Sequence, residues 1–542
     1  MTDGSGAVVY SYDIRGNLTG KSVTLDAIAY SLQYGYDNAN RLIRITYPGG
    51  RTVDYSYDAL GQISAINTTK DGATQSLASA IVYQPFGPLS GLTHGNGLTH
   101  SRGHDLDYRL TSLTTPGVQD LLNGYDPAGN ISAIADNLTG ANSQNFSYDA
   151  LDRLTGALGG YGGLGYGYDA NGNRLNKDDD GTSVTYSIDS LSNRLLAETD
   201  WTYAHDAVGN QTEKLDATGA GQLYSYGDHN RLVQVIQREM VQTSKSKKKP
   251  LEPQDSVIAE YRYNGQGQRV KKTAGGVIAY YVYGNDGELL AELDSAGEIT
   301  KGYVYLAGAP IALIETRASG GGAGTETLID NGEAGTGSTG AWTLETDRKE
   351  QNYGADFLLA DGDSGSTYRW TPVLGAGTYE VYAWWKSSRK YNPTAQYRIV
   401  HGGVTDTSVQ SQRDNGGQWV LLGTYDFDGT GGEYVEVSDA GGDTVADAIR
   451  FVEQIPPSRE TRVYTVHSDH LGTPRVITDN NQRIVWRWDS TPFGVSGPDE
   501  DPDGDGEGVV VNLRFPGQYY DQESGLYYNY FRTYDPSTGR YL

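Results

Sequence analysis

The sequence predicts an all-β protein, a long sheet of repeated hairpins with an inserted β-sandwich, and three observations predict it. The first is composition: the 542 residues include 42 Tyr, 72 Gly and 18 Pro, but 2 Met and no Cys. Tyr, Thr and Val favour extended segments and Gly favours tight turns, while no long Leu/Ala/Glu/Lys stretch suggests helices. The second is a Tyr-Asp motif that recurs with a period near twenty residues. The third is an interruption from Thr325 to Gln454, where the period vanishes and five of the eight Trp gather.

The repeat is clearest in Tyr10-Ser-Tyr12-Asp13-Ile-Arg-Gly16-Asn17-Leu18, Tyr34-Gly-Tyr36-Asp37-Asn-Ala-Asn40-Arg41-Leu42 and Tyr55-Ser-Tyr57-Asp58-Ala-Leu-Gly61-Gln62-Ile63. Further copies centre on Asp126, Asp149, Asp169, Asp189, Asp206, Asp228, Asn264 and Asn285, with weaker ones at Tyr83–Gly87 and Asp105–Leu110. Tyr-x-Tyr places two rings on one face of an extended segment. The following Asp favours a turn by bonding its own downstream backbone, and a Gly or Asn two or three positions later tolerates positive φ. Each period is therefore about one hairpin. A lone hairpin is unstable in water, so neighbours must bury one another's Tyr faces in a continuous, solenoid-like sheet. Because every copy carries the same set, the Tyr and Asp read as structural.

Inside the interruption, Tyr379–Trp385, Ala395–Val400, Gln418–Leu422 and Glu433–Val437 alternate as strands between Gly, Asp and Asn turns, the pattern of a β-sandwich. The expected boundaries are 1–317 for the repeats, 318–326 for a Gly-rich linker, 327–454 for the sandwich and 457–542 for a C-terminal region. A basic run, Ser244-Lys-Ser-Lys-Lys-Lys249, interrupts the repeats as a loop.

The chemistry is sparse. Without Cys there is no disulfide, thiolate nucleophile or Cys-based zinc site. With 68 acidic against 42 basic residues the net charge is -26, which disfavours nucleic acid, and no apolar run is long enough for membrane insertion. Trp384, Trp385 and Trp419 are the candidate carbohydrate contacts, since aromatic faces stack on sugar rings. Strand alternation lets only one of Trp384 and Trp385 face outward. Asp499, Asp501, Asp503 and Asp505 are the candidate calcium ligands, with oxygen at alternate positions and Gly between. An EF-hand starting at Asp501 needs Glu at its twelfth position, where Asn512 stands, so a solvated acidic loop competes with that reading. His467-x-x-His470 with Asp469 lacks a third ligand at suitable spacing and reads as structural. No catalytic residue and no required cofactor is expected.

The Tyr-Asp units resemble the YD repeats of RHS proteins and teneurins. His467–Arg475, Trp486–Gly494 and Leu513–Leu542, which includes Tyr519-Tyr-Asp521, Tyr534-Asp535-Pro and Gly539-Arg540-Tyr-Leu542, resemble the RHS core region. The resemblance implies a sheet wound into a hollow shell, here partial, which in bacterial members often encloses a C-terminal toxin. It implies that the effector and any self-cleavage machinery lie beyond Leu542, so the chain is expected to be a piece of a longer protein. Leu328–Asn331, Gly377–Tyr382, Gly417–Gly423 and Ala446–Phe451 resemble the golvesin C-terminal and xanthan lyase carbohydrate-binding-like domain, which implies polysaccharide as a partner. The expected function is a non-catalytic shell for a toxin-type effector. A surface or wall-associated adhesion protein that recognises carbohydrate is the alternative. Either role implies a secreted or cell-surface location, although Met-Thr-Asp-Gly-Ser-Gly at the start encodes no signal peptide.

Overall fold

A computed structural model describes the whole chain except residues 1, 4–5, 27, 86, 243–249, 320, 347–350 and 456–457. The basic run 244–249 lies outside the described residues. The described residues are almost all strand and turn, with two single-turn 3-10 helices and no α-helix. They form two compact units, one of residues 1–316 and 461–542, the other of residues 317–460.

The first unit is built on a 32-stranded sheet in which each strand pairs with the next in sequence. One turn recurs from repeat to repeat, while alternate hairpins close through shorter turns such as Asp71-Gly72 and Gly275-Gly276. In the Asp126 copy, Asp126 N–H bonds Asn130 O at 2.9 Å and Gly129 N–H bonds Asp126 O at 3.0 Å. Asp126 Oδ1 accepts the N–H groups of Ala128 and Asn130 at 2.9 and 2.8 Å, and Gly129 takes φ of 93°. Left-handed φ is therefore required three residues after the Asp, and Gly16, Asn40, Gly61, Gly172 and Gly209 meet it in other copies. In several copies the Tyr before the Asp reaches back to the preceding repeat. Tyr36 Oη donates to Leu18 O at 3.0 Å, Tyr57 to Leu42 O at 2.7 Å, and Tyr148 to Ile131 O at 2.8 Å.

Two assignments need correction. At the expected Asp228 and Asn285 copies the turn starts one residue earlier, at Gly227 and Gly284, whose N–H groups bond Arg231 O and Glu288 O at 2.9 Å. Glycine has no side chain to cap with, so the turn there rests on backbone bonds. The same turn also recurs without a preceding Tyr-x-Tyr at Asp216, Asp294 and Asp479, and at Asp469 in the C-terminal region.

The sheet winds back on itself. Strands near the start pack face to face with strands 270–314, burying Leu25, Leu32, Val53 and Ile66 against Leu290, Val304 and Ile314. Tyr47 Oη donates to Tyr303 O at 2.8 Å, and Lys21 Nζ to Tyr283 O at 3.0 Å. The C-terminal hairpins, Tyr519–Asp521 through Arg540–Tyr541, tie down the later repeats through Arg231 with Phe531 O, Lys214 with Asp535 and Arg174 with Thr538 O. Arg269 and Asp521 form a wholly buried ion pair, 1% and 2% exposed at the side chain, with the guanidinium 4.4 to 5.3 Å from the ring centroids of Tyr261, Tyr281, Tyr519 and Tyr528.

The second unit is a sandwich. A four-stranded sheet of Gly322–Ile329, Ala448–Ile455, Gly377–Trp384 and Val420–Phe427 is accompanied by a five-stranded one. Tyr379, Val381, Ala383 and Trp385 alternate inward to a core shared with Trp370, Tyr397, Ile399 and Phe451. The Val420–Phe427 strand begins directly after Trp419.

Removing one partner of a buried pair leaves an uncompensated charge, so Asp521→Ala is expected to cost about 3–5 kcal/mol in chemical denaturation. Tyr148→Phe, which deletes one bond between repeats, is expected to cost about 0.5–1.5 kcal/mol. Equal denaturation midpoints for Asp521→Ala and the parent chain would remove the ion pair from this role.

Candidate functional site

The sandwich carries a group of half-buried aromatic side chains on one sheet face. On the outer face of the four-stranded sheet, Tyr382 is paired in register with Arg450, whose guanidinium lies 4.5 Å from the Tyr382 ring and 4.9 Å from that of Trp419. Trp419, Trp384 and Tyr353 close a triangle, with centroids 5.3, 5.6 and 5.2 Å apart. All three are half-buried. The Trp384 indole N–H is engaged by Gln351 O at 2.9 Å. Carboxylates border the group: Glu326 lies 3.7 Å from Arg450, and Glu380 accepts the Tyr382 hydroxyl at 2.7 Å.

Trp385 does not belong to this site. Alternation turns it inward, it is 0% exposed, and its indole N–H donates to Asp414 O at 2.9 Å. Trp384 and Trp419 are brought together, and sequence reasoning missed Tyr353, Tyr382 and Arg450. The Tyr382 signal was available, because Tyr382 and Trp384 share strand parity. Tyr353 and Arg450 come from a remote loop and strand.

The loop that positions Tyr353 is held by a buried acid. Tyr353 N–H donates to both oxygens of Asp447, at 3.3 and 3.1 Å. Burial, reinforced by the nearby Asp330 and Asp356, pushes the Asp447 carboxyl up to about 9. Burial and the neighbouring Glu333 and Asp356 push Asp330 up to about 6.

The acidic loop in the first unit is arranged differently from the sequence expectation. Asp501, Asp503 and Asp505 bring one carboxylate oxygen each within 4.8 Å of one another. Asp499 stays outside this group, fixed by a backbone bridge to Arg487. Arg483 approaches Asp503 and Asp505 at 3.2 and 3.5 Å, so the protein supplies its own countercharge. His467 precedes, and His470 lies within, a capped turn in which Asp469 Oδ1 accepts the N–H groups of Leu471 and Thr473 while Oδ2 pairs with Arg475.

The folded state holds the Asp447 proton more tightly than the unfolded chain, so its contribution to stability is complete below about pH 4 and is lost as pH rises toward 9. The thermal transition of the Trp-rich unit, followed by Trp fluorescence, is expected to rise between pH 8.5 and pH 6. Asp447→Asn is expected to abolish most of that rise, and an unchanged rise in that variant would show that Asp447 is not its source.

Comparison with known proteins gives each unit a counterpart. Residues 327–453 match the Golvesin C-terminal domain, and residues 32–74 match the RHS Repeat. The toxin protein Tse5 of Pseudomonas aeruginosa is 38% identical over 87 residues, 16% of this chain and 6% of its own length. Xanthan lyase of a Bacillus species is 36% identical over 137 residues, 23% of this chain and 14% of its own. The crystal structure of TcdB2-TccC3 without its hypervariable C-terminal region superposes on 99% of this chain and 22% of that chain, with a TM-score of 0.54 at 16% identity. This chain thus spans a small part of each relative's length. Residues 32–74 are thus similar to the RHS Repeat, whose strand-by-strand pairing and capped turn recur through the first unit, and the second unit is similar to the Golvesin C-terminal domain.

Proposed function

We propose that this chain is a non-catalytic scaffold, part of the wall of a shell that in its parent protein encloses a C-terminal effector of the toxin class. The observation that carries this reading is the sheet of the first unit, which folds back on itself and is fastened by the C-terminal hairpins through a buried ion pair. Such a wall stores its stability in repetition and needs no reacting group. The likeness to Tse5 and the fold shared with TcdB2-TccC3 support it. A secreted or cell-surface setting fits this role, and no described helix is long and apolar enough to cross a membrane.

The sandwich adds recognition of polysaccharide. Trp384 and Trp419 offer ring surface, while Arg450, Glu326 and Glu380 supply hydrogen-bonding groups around it. Likeness to xanthan lyase supports this half of the reading, and the same surface would serve an adhesion role at a cell wall.

Two experiments test the two halves. A protease-sensitive reporter placed after Leu542 is expected to be cut far more slowly than the same reporter free in solution, and equal rates overturn the enclosing wall. In affinity electrophoresis through gels containing acidic or neutral polysaccharides, the full chain is expected to be retarded in at least one gel. Trp384→Ala and Trp419→Ala are expected to lose that retardation, and parent-like mobility of both variants sinks the sugar site.

A further inference from the structure

Three histidines from separate strands meet inside the first unit. His94 ends the strand Leu89–His94, His100 lies in Thr99–His104, and His467 lies in Ser458–Ser468. They are 5%, 5% and 1% exposed. The His94 ring stands 4.8 Å from that of His467 and 5.7 Å from that of His100.

Their polar contacts define their protonation. His100 Nδ1 meets Thr115 Oγ1 at 2.8 Å, and its Nε2 receives the Arg102 Nε–H at 3.1 Å. A guanidinium only donates, so His100 Nε2 is unprotonated and Nδ1 donates to the threonine. His467 Nε2 meets Thr478 Oγ1 at 2.9 Å. The remaining His467 nitrogen and both nitrogens of His94 are buried without a hydrogen-bond partner.

The cluster lies on a seam between distant parts of the sheet. Asn96 Nδ2 donates to Thr478 Oγ1 and Asp479 O at 2.9 and 3.0 Å, and Gln482 returns a bond to Asn96 O at 2.9 Å. Leu98, Val118 and Val476 pack beside it. Arg102 is the cation facing the rings, and it raises the cost of any further positive charge there. Asp469 acts on Arg102 across the seam but is already paired with Arg475 at 2.8 Å. His104 beside Asp105, and His470 beside Asp469, stand at the flanks. Among the described residues no carboxylate bonds any of the three imidazoles.

We propose that this histidine cluster is an acid-sensitive latch: the seam between residues 89–104 and 458–478 is closed while the three rings are neutral and opens when they take up protons. A proton on His100 Nε2 would set two donors against each other where Arg102 now bonds. A proton on His94 would add charge to a ring with no acceptor at either nitrogen. Burial, with Arg102 adding to it, pushes His94 down to about 4 and His100 down to about 3, and burial holds His467 far below the usual histidine range. In an unfolded or opened segment the same rings titrate near 6.5, so the closed state loses stability as pH falls from about 6.5 toward 4. On the scaffold reading above, an acid-opened seam would give an enclosed effector a way out, but the latch itself does not depend on that reading.

Hydrogen–deuterium exchange of the full chain, corrected for the intrinsic pH dependence, tests it. Between pH 6.5 and 4.5, protection of peptides covering 89–104 and 463–487 is expected to fall about tenfold or more, one pKa unit of coupling being tenfold. Peptides around Arg269 and Asp521 are expected to keep theirs. His94→Phe gives up no hydrogen bond and keeps an aromatic ring, so it is expected to stay closed at pH 7 and to open at lower pH than the parent. Seam protection independent of pH, or His94→Phe opening at the parent's pH, overturns the latch. A direct readout does not rely on the variant: NMR titration of 13C-labelled histidine rings is expected to show three resonances that stay neutral at pH 5.5. Ordinary midpoints near 6.5 for those three would also overturn it.

Discussion

One aspartate oxygen accepting two backbone N–H groups sets the geometry on which the rest of the first unit depends. In each full copy it fixes a five-residue turn, and that turn determines which carbonyl the preceding tyrosine meets on the neighbouring repeat. Neighbouring turns then interlock: Asn17 Nδ2 bonds Asn40 Oδ1, Asn173 Nδ2 bonds Asn193 Oδ1, and Arg153 reaches Asp169 O. The interlocked turns hold neighbouring repeats in one register, so the tyrosine faces stack without slipping. The Arg153 guanidinium, with backbone N–H groups, holds the Asp149 carboxyl below its usual range, which keeps this cap ionised well into acid.

A sheet this long still needs fasteners between its windings, and two of the buried ones differ in chemistry. Around Arg269 the fastener is a buried charge pair lined by four tyrosines, where desolvation is costly and losing either partner strands a buried charge. Around His94 it is uncharged, three imidazoles held neutral by burial. The second kind holds only while the rings stay deprotonated.

Much of the fold was legible in the sequence because its determinants are local. Tyr-x-Tyr, Asp and Gly at fixed offsets specify a hairpin by themselves, and the Trp-rich interruption marks the sandwich. Where Gly227 and Gly284 replace the capping acid, the neighbouring Asp228 and Asn285 drew the assignment one residue downstream. Asp216, Asp294 and Asp479 lacked the aromatic pair that made other turns conspicuous. The site was only half legible. Strand parity says that one of Trp384 and Trp385 faces out, but which one depends on the face that packs on Tyr397 and Phe451. Tyr353 and Arg450 join Trp419 only through folding, and His94 meets His467 across most of the chain, so no pattern of spacing announces either group.

The place where the sandwich is inserted has an evolutionary consequence. Strands Ala309–Ser319 and Ser458–Ser468 pair directly, and Thr316 and Thr461 face one another at 3.3 Å. Within the insert, the first and last strands are also paired, from Gly322 opposite Ile455 to Ile329 opposite Ile449. The hairpin therefore closes whatever lies between, and a module whose own ends meet adds little to the entropy of closing it. This makes the position a cassette slot: a lineage can exchange one module for another there while the repeat sheet keeps its register.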